Sequence, residues 1–210
     1  MKKIIIAIDS FKGCLTSAEA GKAAEKGIKS INPSCHTSVI PIADGGEGLL
    51  DVLITATKGK YITLSAHGPL MKMAKTHYGL SGNGRTAIIE MAAISGLPLV
   101  PIEQRNPMLT TTFGTGELIK DALNKGCRNF IIGIGGSATN DAGLGMLQAL
   151  GFRFLDKSGH TLGTGGQIME AVANIDTSGI HPALRETHFM VACDVANPFY
   201  GPDGAAYIFA

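Results

Sequence analysis

Along the chain, short aliphatic runs alternate with longer stretches whose apolar positions recur at helical spacing. Lys3–Ile8 is a run rich in β-branched residues, the pattern of a strand buried on both faces. Thr16-Ser17-Ala18-Glu19 then spells a capping box, an S/T-x-x-E start for a helix. Behind it Ala20, Ala24, Gly27, Ile28 and Ile31 share one helical face, and Asn32-Pro33 ends the helix. Ser38–Ala43 reads as the next strand and Glu47–Ala56 as the next helix. Strand and helix in alternation predict an α/β fold with parallel sheets flanked by helices.

The middle of the chain breaks that rhythm. Tyr61–Leu64, Ala74–Leu80 and Arg85–Met91 read as consecutive strands, with Ser81-Gly82-Asn83-Gly84 as a hairpin turn. Alternation then resumes with helix Gly116–Asn124, strand Asn129–Ile134, helices Asp141–Leu150 and Gly166–Ala173, and a last buried strand Phe189–Cys193. The expected architecture is two α/β domains with an antiparallel hairpin element in the middle. The boundary is set near residue 65: an N-terminal Rossmann-like domain at 1–65, and a second domain at 66–210 carrying a glycine-rich loop.

Composition narrows the class. With 45% hydrophobic and 17% charged residues, the chain has material for a sizeable core and is not disordered. A net charge of +1 without a basic run gives no footprint for nucleic acid, and no apolar stretch nears the ~20 residues of a membrane span. Cys14, Cys35, Cys127 and Cys193 form no CxxC, and no HExxH pairs the histidines, so a cytoplasmic protein without a thiolate metal site is expected. Glycine is the outlier: its 28 residues in 210 are about twice the usual ~7% share.

Those glycines gather with polar residues after the predicted strands, where open α/β sheets bind ligands. Four segments stand out: Asp9-Ser10-Phe11-Lys12-Gly13, Asp44-Gly45-Gly46-Glu47-Gly48, Gly133–Asp141 and Asp194-Val195-Ala196-Asn197-Pro198. In the third, Gly133, Gly135 and Gly136 let the backbone turn its N–H groups toward an anion, and Thr139 or Asn140 is placed to cap the following helix. The bland reading is a tight turn that binds nothing. Asp44 and Glu47 also fit D-x-x-E, a capping box, yet Gly45 and Gly46 are poor helix formers there unless a ligand comes close. Asp194 ends a strand, where an acid holds Mg²⁺, accepts a proton or merely caps a turn. Lys12 is the cation of the four loops, Arg105 is a further anion contact, and Glu90 reads as an edge-exposed strand end. This chemistry suits phosphate handling with a divalent metal. A rival comes from Gly133-x-Gly135-x-x-Ala138, a GxGxxA dinucleotide fingerprint with Asp156 eighteen residues beyond Ala138, which suits a nicotinamide-dependent oxidoreductase.

At these same residues the chain resembles the bacterial glycerate kinase family. The resemblance lies in AIDSFKGCLTSAEA at 7–20, PIADGGEG at 41–48, RNPMLTTTFGTGELIKDAL at 105–123, IGIGGSATNDAGLGMLQALG at 132–151 and VACDVANPFYGPDGAA at 191–206. It implies ATP-dependent phosphorylation of D-glycerate with Mg²⁺, 2-phosphoglycerate being the favoured product, in a cleft between two α/β domains. Carried onto this chain, it makes Lys12, Asp44 and Asp194 catalytic, with Ser10, Phe11, Gly45, Gly46, Glu47 and Arg105 on the substrate. Gly133, Gly135, Gly136, Ser137, Thr139 and Asn140 would cradle phosphates, and Asp194 and Asp141 would hold Mg²⁺, with Asn197 in support. Members of the family continue past residue 210, so the second half of the family fold is expected to be missing. A ligand-binding, inactive fragment with exposed apolar surface, self-associating as a homodimer, is therefore a third reading.

Overall fold

The computed structural model describes residues 3–11 and 13–209. It opens with β1 (Lys3–Ile6), α1 (Ser17–Ile31), β2 (His36–Val39) and α2 (Leu49–Thr57). The centre holds β3 (Lys60–His67), β4 (Met73–Leu80), β5 (Thr86–Glu90), α3 (Ala92–Ser95), α4 (Phe113–Asn124) and β6 (Asn129–Gly133). The last part holds α5 (Leu144–Ala149), β7 (Arg153–Leu155), β8 (Asn174–Asp176), β9 (His188–Ala192) and α6 (Ala205–Phe209).

The strands form three sheets. β1 and β2 pair in parallel, β7 and β8 antiparallel, and the main sheet runs β3-β4-β5-β6-β9. Its first three strands are antiparallel, joined by short turns, whereas β5, β6 and β9 are parallel and joined through helices. The mixed α/β architecture and the turn at residues 81–84 agree with the sequence pattern.

Period-two alternation decides which helix meets which face. Ala87 and Ile89 of β5 align with Phe130 and Ile132 of β6, and all four enter the main core with Leu118, Ile119, Ala122 and Leu123 of α4. Ile88 points the other way and packs with Leu50 and Ile54 of α2. α2 thus lies on the five-stranded sheet, and the 65/66 division expected from sequence falls within β3.

Beyond β6 the sheet is thinly covered. Phe189, Met190 and Val191 of edge strand β9 are exposed, Met190 by 65%. Exposed apolar surface was the expectation attached to the fragment reading, and here it lies along an unpaired strand edge.

Several elements differ from the pattern. The Thr16–Glu19 capping box forms in both directions, at 3.2 Å and 2.9 Å. Yet α1 buries only Ser17, Ala20 and Gly21 among its described residues, Gly21 lying close against Val39 of β2, while Ile31 is 89% exposed. Residues 166–171 form a 3₁₀ helix rather than an α-helix, and β7 and β8 are too short to show an alternation. No helix among the described residues is long and apolar enough to cross a membrane.

Candidate active site

The site is built around residues 44–48. α2 does not start on a capping box: Glu47 lies outside the helix, Gly48 is its N-cap at φ 92°, and no side chain of the loop caps it. Asp44 instead accepts the Gly46 N–H at 2.9 Å, closing a tight local turn that leaves the carboxylate exposed. The missing acceptor comes from the main sheet. Glu90, last residue of β5, takes the Leu50 N–H at 2.7 Å, and the Gly48 N–H also bears on its carboxylate electrostatically. Burial beneath α2 pushes its carboxyl above the ordinary range, outweighing the lowering by those N–H groups; Asp51 adds to the rise and His77 opposes it.

Glycine lets this loop sit directly on the strand ends. A Cβ on Gly45, whose φ is +100°, would lie 2.7 Å from the Ala192 carbonyl oxygen of β9. One on Gly133 would lie 2.5 Å from the Gly45 oxygen, and one on Gly135 2.7 Å from the Gly46 Cα. These glycines therefore serve backbone-on-backbone packing between three segments that the sequence separates widely.

The first segment joins from the other side. Ser17 Oγ donates to the Ile8 carbonyl at 2.6 Å and accepts the Ile42 N–H at 3.0 Å, fastening the chain after β1 to the chain after β2. A cleft of about 460 Å³ separates residues 10–11 and 13–19 from α2, lined by Ser10, Phe11, Glu47, Asp51, His77 and Glu90 among others. Ser10 is half-buried, its N–H held by Asp9 at 2.6 Å. Lys12 lies outside the described residues.

The 133–141 loop is pinned to the turn after α3. Leu97 N–H donates to the Gly136 carbonyl at 3.0 Å and Ala138 N–H to the Ser95 carbonyl at 2.9 Å. Ser137 Oγ takes the Thr139 N–H at 3.0 Å, and Thr110 Oγ1 donates to the Ala138 carbonyl at 2.7 Å. No hydrogen bond among the described residues uses the N–H groups of Gly135, Gly136 or Ser137. Three adjacent donors are thus left open in this loop, with Gly136 at φ +71°.

Neither Thr139 nor Asn140 caps the next helix, which begins only at Leu144 behind Gly143. That distance also removes the context of the GxGxxA fingerprint, which needs a helix opening on its glycines. Asp156 is engaged in its own turn, accepting the Ser158 and His160 N–H groups.

Asp141 is 1% exposed. Its Oδ2 accepts the Thr112 N–H at 2.8 Å, the Gly145 N–H at 3.2 Å and the Thr111 hydroxyl at 3.2 Å. Its Oδ1 accepts the Gly143 N–H at 3.0 Å, and the Thr112 hydroxyl lies within 3.1 Å of both oxygens. One buried carboxylate thus joins the starts of α4 and α5, a structural task that occupies both oxygens and leaves the expected Mg²⁺ role without lone pairs facing solvent. Asp194 and Asn197, in contrast, are exposed, and Asn197 Nδ2 reaches the Asp203 carbonyl at 3.1 Å. Among the described residues no three His, Cys, Asp or Glu side chains make a metal cluster. A single outward carboxylate fits the way Mg²⁺ is usually held, by one or two carboxylates plus substrate phosphates. Arg105 is exposed, its Nε donating to the Val100 carbonyl at 3.3 Å, and no hydrogen bond or ion pair among the described residues joins it to the four loops.

Sequence reasoning passed over Thr111 and Thr112, and it read Glu90 as edge-exposed, whereas that residue is half-buried and accepts the Leu50 N–H. A signal for Glu90 was present: Gly-Gly-Glu-Gly before an apolar helix leaves the first N–H groups without a local side-chain cap, so an acceptor must come from elsewhere.

The chain matches the model of the Glycerate kinase family over residues 4–210. A glycerate kinase of Bacillus subtilis (strain 168) is 53% identical over 99% of this chain and 54% of its own length. A glycerate 2-kinase of Escherichia coli (strain K12) is 49% identical, again over 99% and 54%. A crystal structure from Salmonella typhimurium LT2, assigned to a glycerate kinase 2, superposes with a TM-score of 0.88 at 48% identity, covering 99% of this chain and 56% of that one. The chain spans about half the length of the curated relatives it matches.

Proposed function

The chain belongs to the glycerate kinase family, and from that premise we propose that it phosphorylates D-glycerate at the expense of ATP, with 2-phosphoglycerate as product. The observation that carries this reading is the seat of the 44–48 loop on Gly133, Gly135 and the end of β9, which gathers Asp44, the unused N–H groups of Gly135–Ser137 and the chain leading to Asp194. The name of the Escherichia coli relative supports the 2-position.

In this reading Asp44, with Ser10 and Phe11, binds the glycerate hydroxyls, and the Gly135–Ser137 donors take phosphate oxygens. The glycerate oxygen attacks the γ-phosphorus, its proton passes to the Asp194 carboxylate, and the bond from phosphorus to the ADP oxygen breaks. Phosphoryl transfer of this kind rests on positioning and charge neutralisation, which N–H groups, carboxylates and the Lys12 cation supply. Mg²⁺, held by Asp194 and the nucleotide phosphates, would add positive charge beside the transferring group.

A coupled assay of ADP release by this chain, with ATP, Mg²⁺ and with or without D-glycerate, tests the proposal. Glycerate-dependent release supports it. Glycerate binding without turnover favours the second reading, a chain that binds its ligand without catalysing transfer, for which the exposed Phe189-Met190-Val191 edge speaks. Neither turnover nor binding overturns both.

A further inference from the structure

We propose that Glu90 is a positioning residue whose carboxylate clamps the 44–48 loop onto the strand ends and so sets the substrate groups of that loop. The loop is anchored at two places. Its first half is wedged by shape, with Gly45 against Ala192 and Gly46 against Gly135. Its second half has no such wedge: Gly48, at φ +92°, has open space where a Cβ would be, and Glu47 is exposed. What fastens this half to the sheet is the N–H group that Leu50, just beyond the loop, presents to Glu90 at 2.7 Å.

The chemistry of the donor set explains a carboxylate here. The first N–H groups of a helix lack intrahelical partners and carry its positive end, so an acidic acceptor both satisfies them and matches the dipole. The usual solution is a Ser, Thr or Asp at the N-cap itself. Here that position is glycine, because the loop must turn through left-handed backbone to reach the strand ends. Capping from β5 frees Asp44 and Glu47 from the task and leaves their carboxylates facing outward. Asp51 and His77 are the charged or titratable groups that bear on Glu90 from α2 and β4, and neither replaces it as acceptor of the Leu50 N–H.

The role rests on the kinase reading for what the loop binds, but not for the clamp itself, so two measurements separate them. Amide hydrogen exchange of the unliganded chain is compared for the native protein, Glu90→Ala and Glu90→Gln. Losing a charge-assisted hydrogen bond predicts exchange at residues 46–50 faster by about tenfold in Glu90→Ala, with β5 and α4 amides unchanged. In Glu90→Gln, whose side-chain oxygen still accepts, exchange stays within about threefold of native. Unchanged exchange in Glu90→Ala, acceleration spread through β4, β5 and β6, or Glu90→Gln as loose as Glu90→Ala would each overturn the clamp. Calorimetric titration with D-glycerate then adds the functional half: a dissociation constant raised about tenfold in Glu90→Ala and largely restored in Glu90→Gln supports positioning. A loosened loop with unaltered glycerate affinity overturns it. If the native chain itself takes up no glycerate, the kinase reading falls and the exchange data alone decide the clamp.

Discussion

The loops at 44–48 and 133–145 are built from the same letters, glycines and acids ahead of a helix, yet they use them in opposite ways. In the later loop the acid is turned inward: Asp141 is sealed among Thr111, Thr112 and three N–H groups and ties two helix starts together. In the earlier loop the acids stay outside and the sealing carboxylate is imported from β5. What differs is the source of the acceptor for the helix N-terminus. Where the loop supplies its own, its acid is scaffold and only its backbone stays open to a ligand; where the sheet supplies it, the loop's side chains remain available for chemistry.

The sharpest way to break this contrast is Asp141→Ala. Removing a buried carboxylate strands several donors and should cost about 3–5 kcal/mol, with Asp141→Asn losing less. Denaturant unfolding near the native midpoint would show that Asp141 is not scaffold. Next comes a matched pair of glycines in the earlier loop. Gly45→Ala meets both left-handed strain and the Ala192 carbonyl and should lose about 2–3 kcal/mol, whereas Gly48→Ala, strained but unobstructed, should lose about 1 kcal/mol. Equal losses would mean that the seat on β9 contributes nothing to stability.

Asp44→Asn should leave stability within about 0.5 kcal/mol of native while D-glycerate binding disappears, as calorimetry would record. The smallest effect is in pH dependence. A carboxyl raised by folding makes the native state bind more protons than the unfolded one, so Glu90 lowers stability as pH rises from below the usual carboxylate range through its raised value. Glu19, Asp156 and Asp176, the last held at about 2, act in the opposite sense, their stabilisation being lost as pH falls through their lowered values. Subtracting the Glu90→Gln profile from the native one should isolate a contribution that declines with rising pH. A difference that rises with pH would contradict the burial of Glu90.

Much of this was legible in the residues. The aliphatic runs located β5 and β6 because strands buried on both faces carry near-continuous apolar sequence, whereas β9, read as buried, is exposed; Thr16–Glu19 announced α1 through a wholly local motif. The gathering of the four polar segments followed from their places after strands. The opposite fates of Asp141 and Asp44 did not, because they depend on partners such as Thr112 and Glu90, 29 and 40 residues away from the groups they serve. Likewise the helix expected at 141–150 starts at Leu144 because Ala142 and Gly143 hold left-handed backbone at φ 52° and 75°, and β7 and β8 escape notice as three-residue strands.

The order of strands in the main sheet also imposes an order in time. β3, β4 and β5 are neighbours in both sequence and space, so their contacts close short loops and form with little entropic cost. β9 must return from residue 188 to lie beside β6, a late and slow event by comparison. Because Gly45 rests on Ala192, the last residue of that strand, and on the Cys193 N–H beyond it, the candidate site can be completed only when the sheet is. In pulse-labelled refolding, protection at Gly45 and Gly46 should therefore trail protection at Tyr78 and Ile88, so that a chain caught part-way would carry a nearly finished core and no place to bind substrate.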